Sequence, residues 1–147
     1  MIDPRLAGYL QRALAHEMAA VQQYLTQSAL LRLWGMAPQA ERFAADAAEE
    51  LGHAQALIER LLQLGMAPQG ATLPAVRPGR NLAEMLTIDY AMERDVIRLY
   101  DDAARYCRRL RDATSFALLE RLLADEQQHL RHIEQALSEP ALAGAGA

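Results

Sequence analysis

The chain has a single cysteine, Cys107, in 147 residues. One thiol excludes a disulfide framework within the chain and any zinc or rubredoxin-type site built from several cysteines. Aromatic residues are scarce too, at 5%. With few β-branched residues beside them, strands are disfavoured. No apolar run approaches the length needed to cross a bilayer, and a formal net charge of −4 leaves no polybasic footprint for nucleic acid. The opening stretch MIDPRLAGYLQR lacks the basic and apolar regions of a secretory signal. These absences predict a cytoplasmic protein without membrane or nucleic-acid partners.

What is present favours helix. Ala, Leu, Gln, Glu and Arg dominate, and 52% apolar content over this length suffices for one domain with a proper core. Pro and Gly cut the chain into four long blocks. Pro4 suits the first turn of the first block, and WGMAP (Trp34 to Pro38) separates it from the second, which runs to Leu64. GMAPQGATLPAVRPGR (Gly65 to Arg80) follows, then Asn81 as a helix cap with Glu84 three residues on. The third block reaches about Leu110, and Arg111-Asp112 links it to a fourth that ends near Leu137. Short links predict two antiparallel hairpins. A helix of about 30 residues is about 45 Å long, and the stretch from Met66 to Arg80 spans about 50 Å when extended. The expected fold is an all-α four-helix bundle, residues 1–138, with a long crossover between the second and third helices, and a short tail over 139–147.

Periodicity then places the acids. Leu10, Glu17, Tyr24 and Leu31 recur every seven residues, which sets Glu17 on the apolar stripe of the first helix. Phe43, Glu50, Leu57 and Leu64 do the same in the second helix. Leu86, Glu93 and Tyr100 follow in the third, and Leu119, Glu126 and Ile133 in the fourth. His53 and His129 come three residues after Glu50 and Glu126, on nearly the same face. Counting from the helix ends puts all four glutamates near mid-bundle. The spacing from Glu17 to Glu50 equals that from Glu93 to Glu126, 33 residues, and a shift of 76 superimposes Glu17, Tyr24, Glu50 and His53 on Glu93, Tyr100, Glu126 and His129. Two copies of one hairpin, each E-x32-E-x2-H, predict two equivalent sites.

A lone glutamate on a helix is usually solvated, and a lone core histidine is usually a satisfied packing residue. Four carboxylates converging on one core are different, because each would cost several kcal/mol uncompensated or take up a proton. Two divalent cations cancel four negative charges and use two neutral imidazoles as further ligands. Mixed carboxylate and imidazole donors suit iron or manganese better than closed tetrahedral zinc.

This constellation resembles the ferritin-like di-iron superfamily, and within it the bacterioferritin family. The resemblance rests on LAHEMAAVQQYL with Glu17 and Tyr24, LRLWG with Trp34, EELGH, Asp89 with Glu93, and DEQQH, and covers residues 5 to 137. It implies a ferroxidase that oxidises Fe(II) to Fe(III) with O2 or H2O2, for iron storage or detoxification. It also implies two iron ions per subunit, with manganese the alternative, held by Glu17, Glu50, His53, Glu93, Glu126 and His129. Glu50 and Glu126 would bridge the ions. Glu49 and Asp125 would accept from the imidazole N–H groups. Tyr24 and Tyr100, each seven residues after one of these glutamates, are read as hydrogen-bonding a ligand carboxylate, passing electrons, or simply packing on the apolar stripe.

Bacterioferritins ligate haem through a methionine directly after the second-helix glutamate, and Leu51 occupies that position here. Haem is therefore not expected, unless a haem-bearing sister subunit coassembles. The family's short fifth helix is expected to be truncated or absent in SEPALAGAGA, which sets a homo-oligomeric dimer beside the usual 24-subunit cage. A small dimeric di-metal oxidoreductase or peroxidase without mineral storage is the alternative reading, and a purely structural bundle the third. RYCRRLR (Arg105 to Arg111) reads as cations at a helix C-terminus, while His16 and His132 are expected off the core face.

Overall fold

The structure is a computed structural model and describes residues 2–139. Four helices account for most of it: α1 (Pro4–Leu33), α2 (Ala37–Gln63), α3 (Leu82–Leu110) and α4 (Ala113–Leu137). The expected tail falls almost wholly on residues 140–147, which lie outside the described part. No helix among the described residues is long and apolar enough to cross a membrane.

Local chemistry sets the helix ends. The Asp3 carboxylate accepts from the backbone N–H groups of Arg5 and Leu6, both at 3.0 Å, and Pro4 fills the first turn where its missing N–H costs nothing. Asn81 accepts from the Glu84 N–H at 2.8 Å and starts α3. The reciprocal half of a capping box is not made, because the Glu84 carboxylate turns to Arg80 instead. Asp112 starts α4 by accepting from Ser115 N–H at 3.0 Å, and it also takes the Arg60 guanidinium of α2 at 3.1 Å. Arg60 thereby ties the α1–α2 hairpin to the first turn of α4. Gly35, with φ 75°, turns the chain from α1 into α2 in a conformation that L side chains avoid.

α1 packs along α2 and α3 along α4, and the two hairpins join across the bundle. The segment between Gln63 and Leu82 runs the length of the bundle along α1. Three α1 glutamines hold it there. Gln11 donates to Ala67 O at 3.0 Å and accepts from Gln69 N–H at 3.0 Å, Gln23 donates to Arg77 O at 2.9 Å, and Gln27 donates to Pro78 O at 3.0 Å. At the end of the crossover Gly79 has φ 101°, and a Cβ there would lie 2.9 Å from the Met85 backbone nitrogen. Only glycine fits both the angle and the approach.

The apolar core is in two parts. One, around Leu10, Leu57, Leu61, Leu119 and Leu122, fills the end nearest the α1 N-terminus. The other, around Leu31, Phe43, Met85 and Ile133, fills the opposite end. Between them lies a polar layer built from all four helices.

Candidate metal centre

Each helix places one fully buried glutamate in that layer: Glu17 on α1, Glu50 on α2, Glu93 on α3 and Glu126 on α4, none more than 1% exposed. The seven-residue apolar spacing around each forces this, since a residue in phase with buried Leu, Phe and Tyr must point inward with them. His53 and His129 enter from α2 and α4, both 5% exposed.

The six side chains form two overlapping sets whose ligand atoms all lie within 4.8 Å of one another: Glu17, Glu50, His53 and Glu126, and Glu50, Glu93, Glu126 and His129. Glu50 and Glu126 belong to both. The 76-residue shift maps one set onto the other, so the duplication in sequence is a pseudo-two-fold axis through the centre. His53 Nδ1 sits 2.9 Å from Glu126 Oε1 and 3.4 Å from Glu17 Oε2. His129 Nδ1 sits 3.4 Å from both Glu50 Oε1 and Glu93 Oε1.

Outer partners orient these groups. Tyr24 donates to Glu93 at 2.7 Å and Tyr100 donates to Glu17 at 2.7 Å, so each hairpin's tyrosine holds the other hairpin's glutamate. His53 turns Nε2 to Asp125 at 3.0 Å. His129 turns Nε2 to Asp46, at 3.3 Å. Asp46, one turn before Glu50 on α2, is thus the acid beside His129, a place that the resemblance had implied for Glu49. Glu49 is exposed and stands with His53 and Asp125 in a third, shallower group of metal-capable atoms. Asp46 was missed because Asp46 and Glu49 both lie within a turn of the ligand, and only the rotation of α2 against α4 chooses between them.

Buried Asp89, one turn before Glu93, accepts from Gln27 at 2.9 Å and from Gln23 at 3.4 Å. Burial pushes its carboxyl up to about 7 despite those hydrogen bonds. Leu51 is 46% exposed on the outside of α2, and His132 is exposed on α4. His16 is half-buried, with Nδ1 buried and unpartnered.

The electrostatics are those of a site built for cations. Burial, then the neighbouring Glu50 carboxyl, pushes Glu17 well above the usual carboxylate range. Burial, then Glu93, does the same to Glu126. Burial works against the charged form of His53, yet Glu17 and Glu50 lift its pKa to about 10. His129 is raised as well, by Asp46, Glu50 and Glu93 against the effect of burial. Among the described residues, one or more buried atoms of Glu17, Glu50, Glu93, Glu126 and His129 have no hydrogen-bond partner. Such groups are rare in native interiors and cost about 1–3 kcal/mol each. Unspent oxygen and nitrogen donors converging from four helices are what a pair of divalent ions requires, so the residues fit the metal that their chemistry implies.

A four-helix bundle with one long crossover and a carboxylate-histidine centre shared between two hairpins defines a ferritin-like protein. Comparison with known proteins agrees: the ferritin-like domain family matches residues 7–142. Bacterioferritin from Mycobacterium leprae is 32% identical over 92% of this chain and 86% of its own. That from Rhodobacter capsulatus is 34% identical over 92% and 84%. A solved structure of the Rhodobacter capsulatus protein, with a metal-free dinuclear site and haem iron, superimposes with a TM-score of 0.90 over 93% of this chain and 86% of that one. The chain belongs to the bacterioferritin family.

Proposed function

We propose that this chain is a ferroxidase of iron storage and detoxification, working in the cytoplasm as a homo-oligomer. The observation that carries the reading is the pair of overlapping four-residue sets, sharing Glu50 and Glu126, sealed between two apolar clusters.

Fe(II) is the substrate. Glu17 with His53, and Glu93 with His129, would each hold one ion at an outer position, and Glu50 and Glu126 would span both. Two ions held a few ångströms apart by shared carboxylates let one oxidant take an electron from each. The balance is 2 Fe(II) + O2 + 2 H+ → 2 Fe(III) + H2O2, or 2 Fe(II) + H2O2 + 2 H+ → 2 Fe(III) + 2 H2O. The chain's own groups keep the geometry during this change. Tyr24 and Tyr100 hold Glu93 and Glu17 by short hydrogen bonds, Asp125 hydrogen-bonds His53 Nε2, and Asp46 lies 3.3 Å from His129 Nε2, so both imidazoles keep Nδ1 inward. Manganese suits the same donors. Haem has no counterpart in this reading of the homo-oligomer, since leucine at position 51 offers no ligand atom.

The test is aerobic Fe(II) addition to the purified protein, with iron content and particle mass read together. Iron well beyond two per chain, in particles that sediment as a shell, is expected. Glu50→Ala, which removes a shared carboxylate, should abolish rapid oxidation while the helices persist. Oxidation at the wild-type rate in that variant would sink the site assignment. Saturation at two metals per chain in a two-chain species would reject storage and favour a small di-metal oxidoreductase or peroxidase.

A further inference from the structure

Arg5, Arg12 and Arg109 gather where the first turns of α1 meet the last turns of α3. Beneath them lie two tyrosines, Tyr9 of α1, buried, and Tyr106 of α3, half-buried, with ring centres 5.8 Å apart. Guanidiniums and rings alternate. The Arg12 guanidinium carbon is 5.0 Å from the Tyr9 ring centre, that of Arg5 is 5.8 Å from Tyr9 and 4.7 Å from Tyr106, and that of Arg109 is 5.6 Å from Tyr106. Each neighbouring pair of cations therefore shares one ring, and all three arginines are exposed.

Cations at the C-terminus of α3 offset its dipole, which accounts for Arg109. The other two need another reason. Arg5 stands in the first turn of α1, where the dipole disfavours a positive charge and no acid shares the turn. Gly8 lies inside α1, where glycine is less stable than alanine by about 0.5–1 kcal/mol. A Cβ there would stand 3.3 Å from Arg12 Nη1, so the glycine keeps room for that guanidinium. Nor do acids neutralise the array. Among the described residues the arginines in ion pairs are Arg60, Arg80 and Arg105. Asp3, beside the array, accepts through Oδ1 from the Tyr106 hydroxyl at 2.8 Å and from the N–H groups of Arg5 and Leu6 at 3.0 Å.

Stacking occupies the face of a guanidinium and leaves its in-plane N–H donors free. Three such forks in a row suit a row of oxyanions. The rings lie beneath the cations rather than open to a stacking nucleobase, and the surface offered is guanidinium rather than the apolar anchor of a protein partner. We infer that this array binds a chain of phosphates that carries no bases, an inorganic polyphosphate. Such a chain repeats negative charge along a flexible backbone and can meet successive guanidiniums, each through paired N–H···O bonds. The inference does not rest on the ferroxidase reading.

The test is titration calorimetry of the full-length, metal-free protein with a short-chain inorganic polyphosphate at low salt. A single-stranded oligonucleotide with as many phosphates and a polyglutamate with as many carboxylates are titrated beside it. Polyphosphate should bind, with an affinity that falls as salt rises. Arg5→Gln, Arg12→Gln and Arg109→Gln should each weaken it about fivefold. Arg131→Gln removes the same charge from an exposed position on α4 and should leave the affinity unchanged. Tyr106→Leu keeps every charge but removes the ring that Arg5 and Arg109 share, and should also weaken binding. Circular dichroism checks each fold, and the three exposed arginines decide if Tyr106→Leu does not fold. Absence of polyphosphate binding, wild-type affinity in the three arginine variants, or an equal loss in Arg131→Gln overturns the inference. Binding of the oligonucleotide or the polyglutamate as tightly as polyphosphate overturns the assignment to a phosphate chain without bases.

Discussion

Loading the centre with metal should expel protons, and the structure sets how many. Among the described residues the six that converge there include no Arg, so the positive charges available to four buried carboxyls are His53 and His129. Burial and neighbouring acids hold protons on Glu17 and Glu126. The His53 imidazole, with its pKa lifted to about 10, and the His129 imidazole are protonated at pH 7. These four groups are the ones whose shifts favour the protonated form in the metal-free centre. Two divalent cations bring four positive charges, and every ligand must be deprotonated to bind them, so about four protons should leave per chain at full loading. Co(II) is a suitable probe because air does not oxidise it readily. Proton release can be read in weak buffer by pH-stat, or by titration calorimetry in two buffers of different ionisation enthalpy. Glu126→Gln removes one titrating proton and should lower the count by about one. Release of one proton or fewer per chain at two Co(II) bound would refute the reasoning, because the histidines would then be neutral or the ions bound elsewhere.

The same shifts set a pH dependence of stability. His53 and His129 have folded pKa values above their unfolded ones, so their contribution is present below about pH 6.5 and is lost as pH rises through the folded values, for His53 about 10. The melting temperature of the metal-free protein should fall across that window while the Co(II) form stays nearly flat, and equal slopes would count against protonated histidines. Tyr24→Phe removes the 2.7 Å bond to Glu93 and should cost about 1–3 kcal/mol by denaturant unfolding of the metal-free protein. No change in midpoint would show that bond to be unimportant. Arg60→Ala breaks the tie to Asp112 and Ser115 at the start of α4 and should cost about 1–3 kcal/mol, with little effect on Co(II) stoichiometry. Purified protein should show no haem absorption band, and Leu51→Met should create haem affinity where two chains pair; a stoichiometric haem band in the unmodified protein would contradict the reading of Leu51.

The helix boundaries were legible because their signals are local. Pro4, the WGMAP break and Asn81 act within a turn, and the helices begin and end within a residue or two of the places those signals mark. The depth of the four glutamates was legible for a different reason: a seven-residue spacing among apolar neighbours is a statement about rotation around one helix, which one sequence contains. What needed coordinates is rotation between helices. That Asp46 rather than Glu49 lies beside His129 depends on how α2 faces α4. So does the exchange of tyrosines, since Tyr24 and Tyr100 each follow a glutamate by seven residues but bond the other hairpin's acid. The glutamines that bind the crossover did leave a signal, because Gln23 and Gln27 sit one turn apart and in phase with the buried Ala20 and Leu31. A polar pair on an apolar stripe demands a partner, and here that partner is the backbone of the crossover together with Asp89.

The tyrosine exchange bears on how such a centre could arise. A hairpin whose tyrosine reaches out to another hairpin's glutamate is complementary to a copy of itself. Two identical hairpins meeting about a two-fold axis would each complete the other, with both shared carboxylates supplied in one act of pairing. In this chain the segment between Gln63 and Leu82 joins the halves covalently, and that frees them to differ. They already do: Asp125 serves one histidine from the position beside a shared glutamate, Asp46 serves the other from a turn earlier, and the residue that the repeat would set opposite Asp46 is the buried Leu122. Equivalence is thus kept by the two four-residue sets and lost in their surroundings, so ions held by the two sets would differ in how strongly they bind.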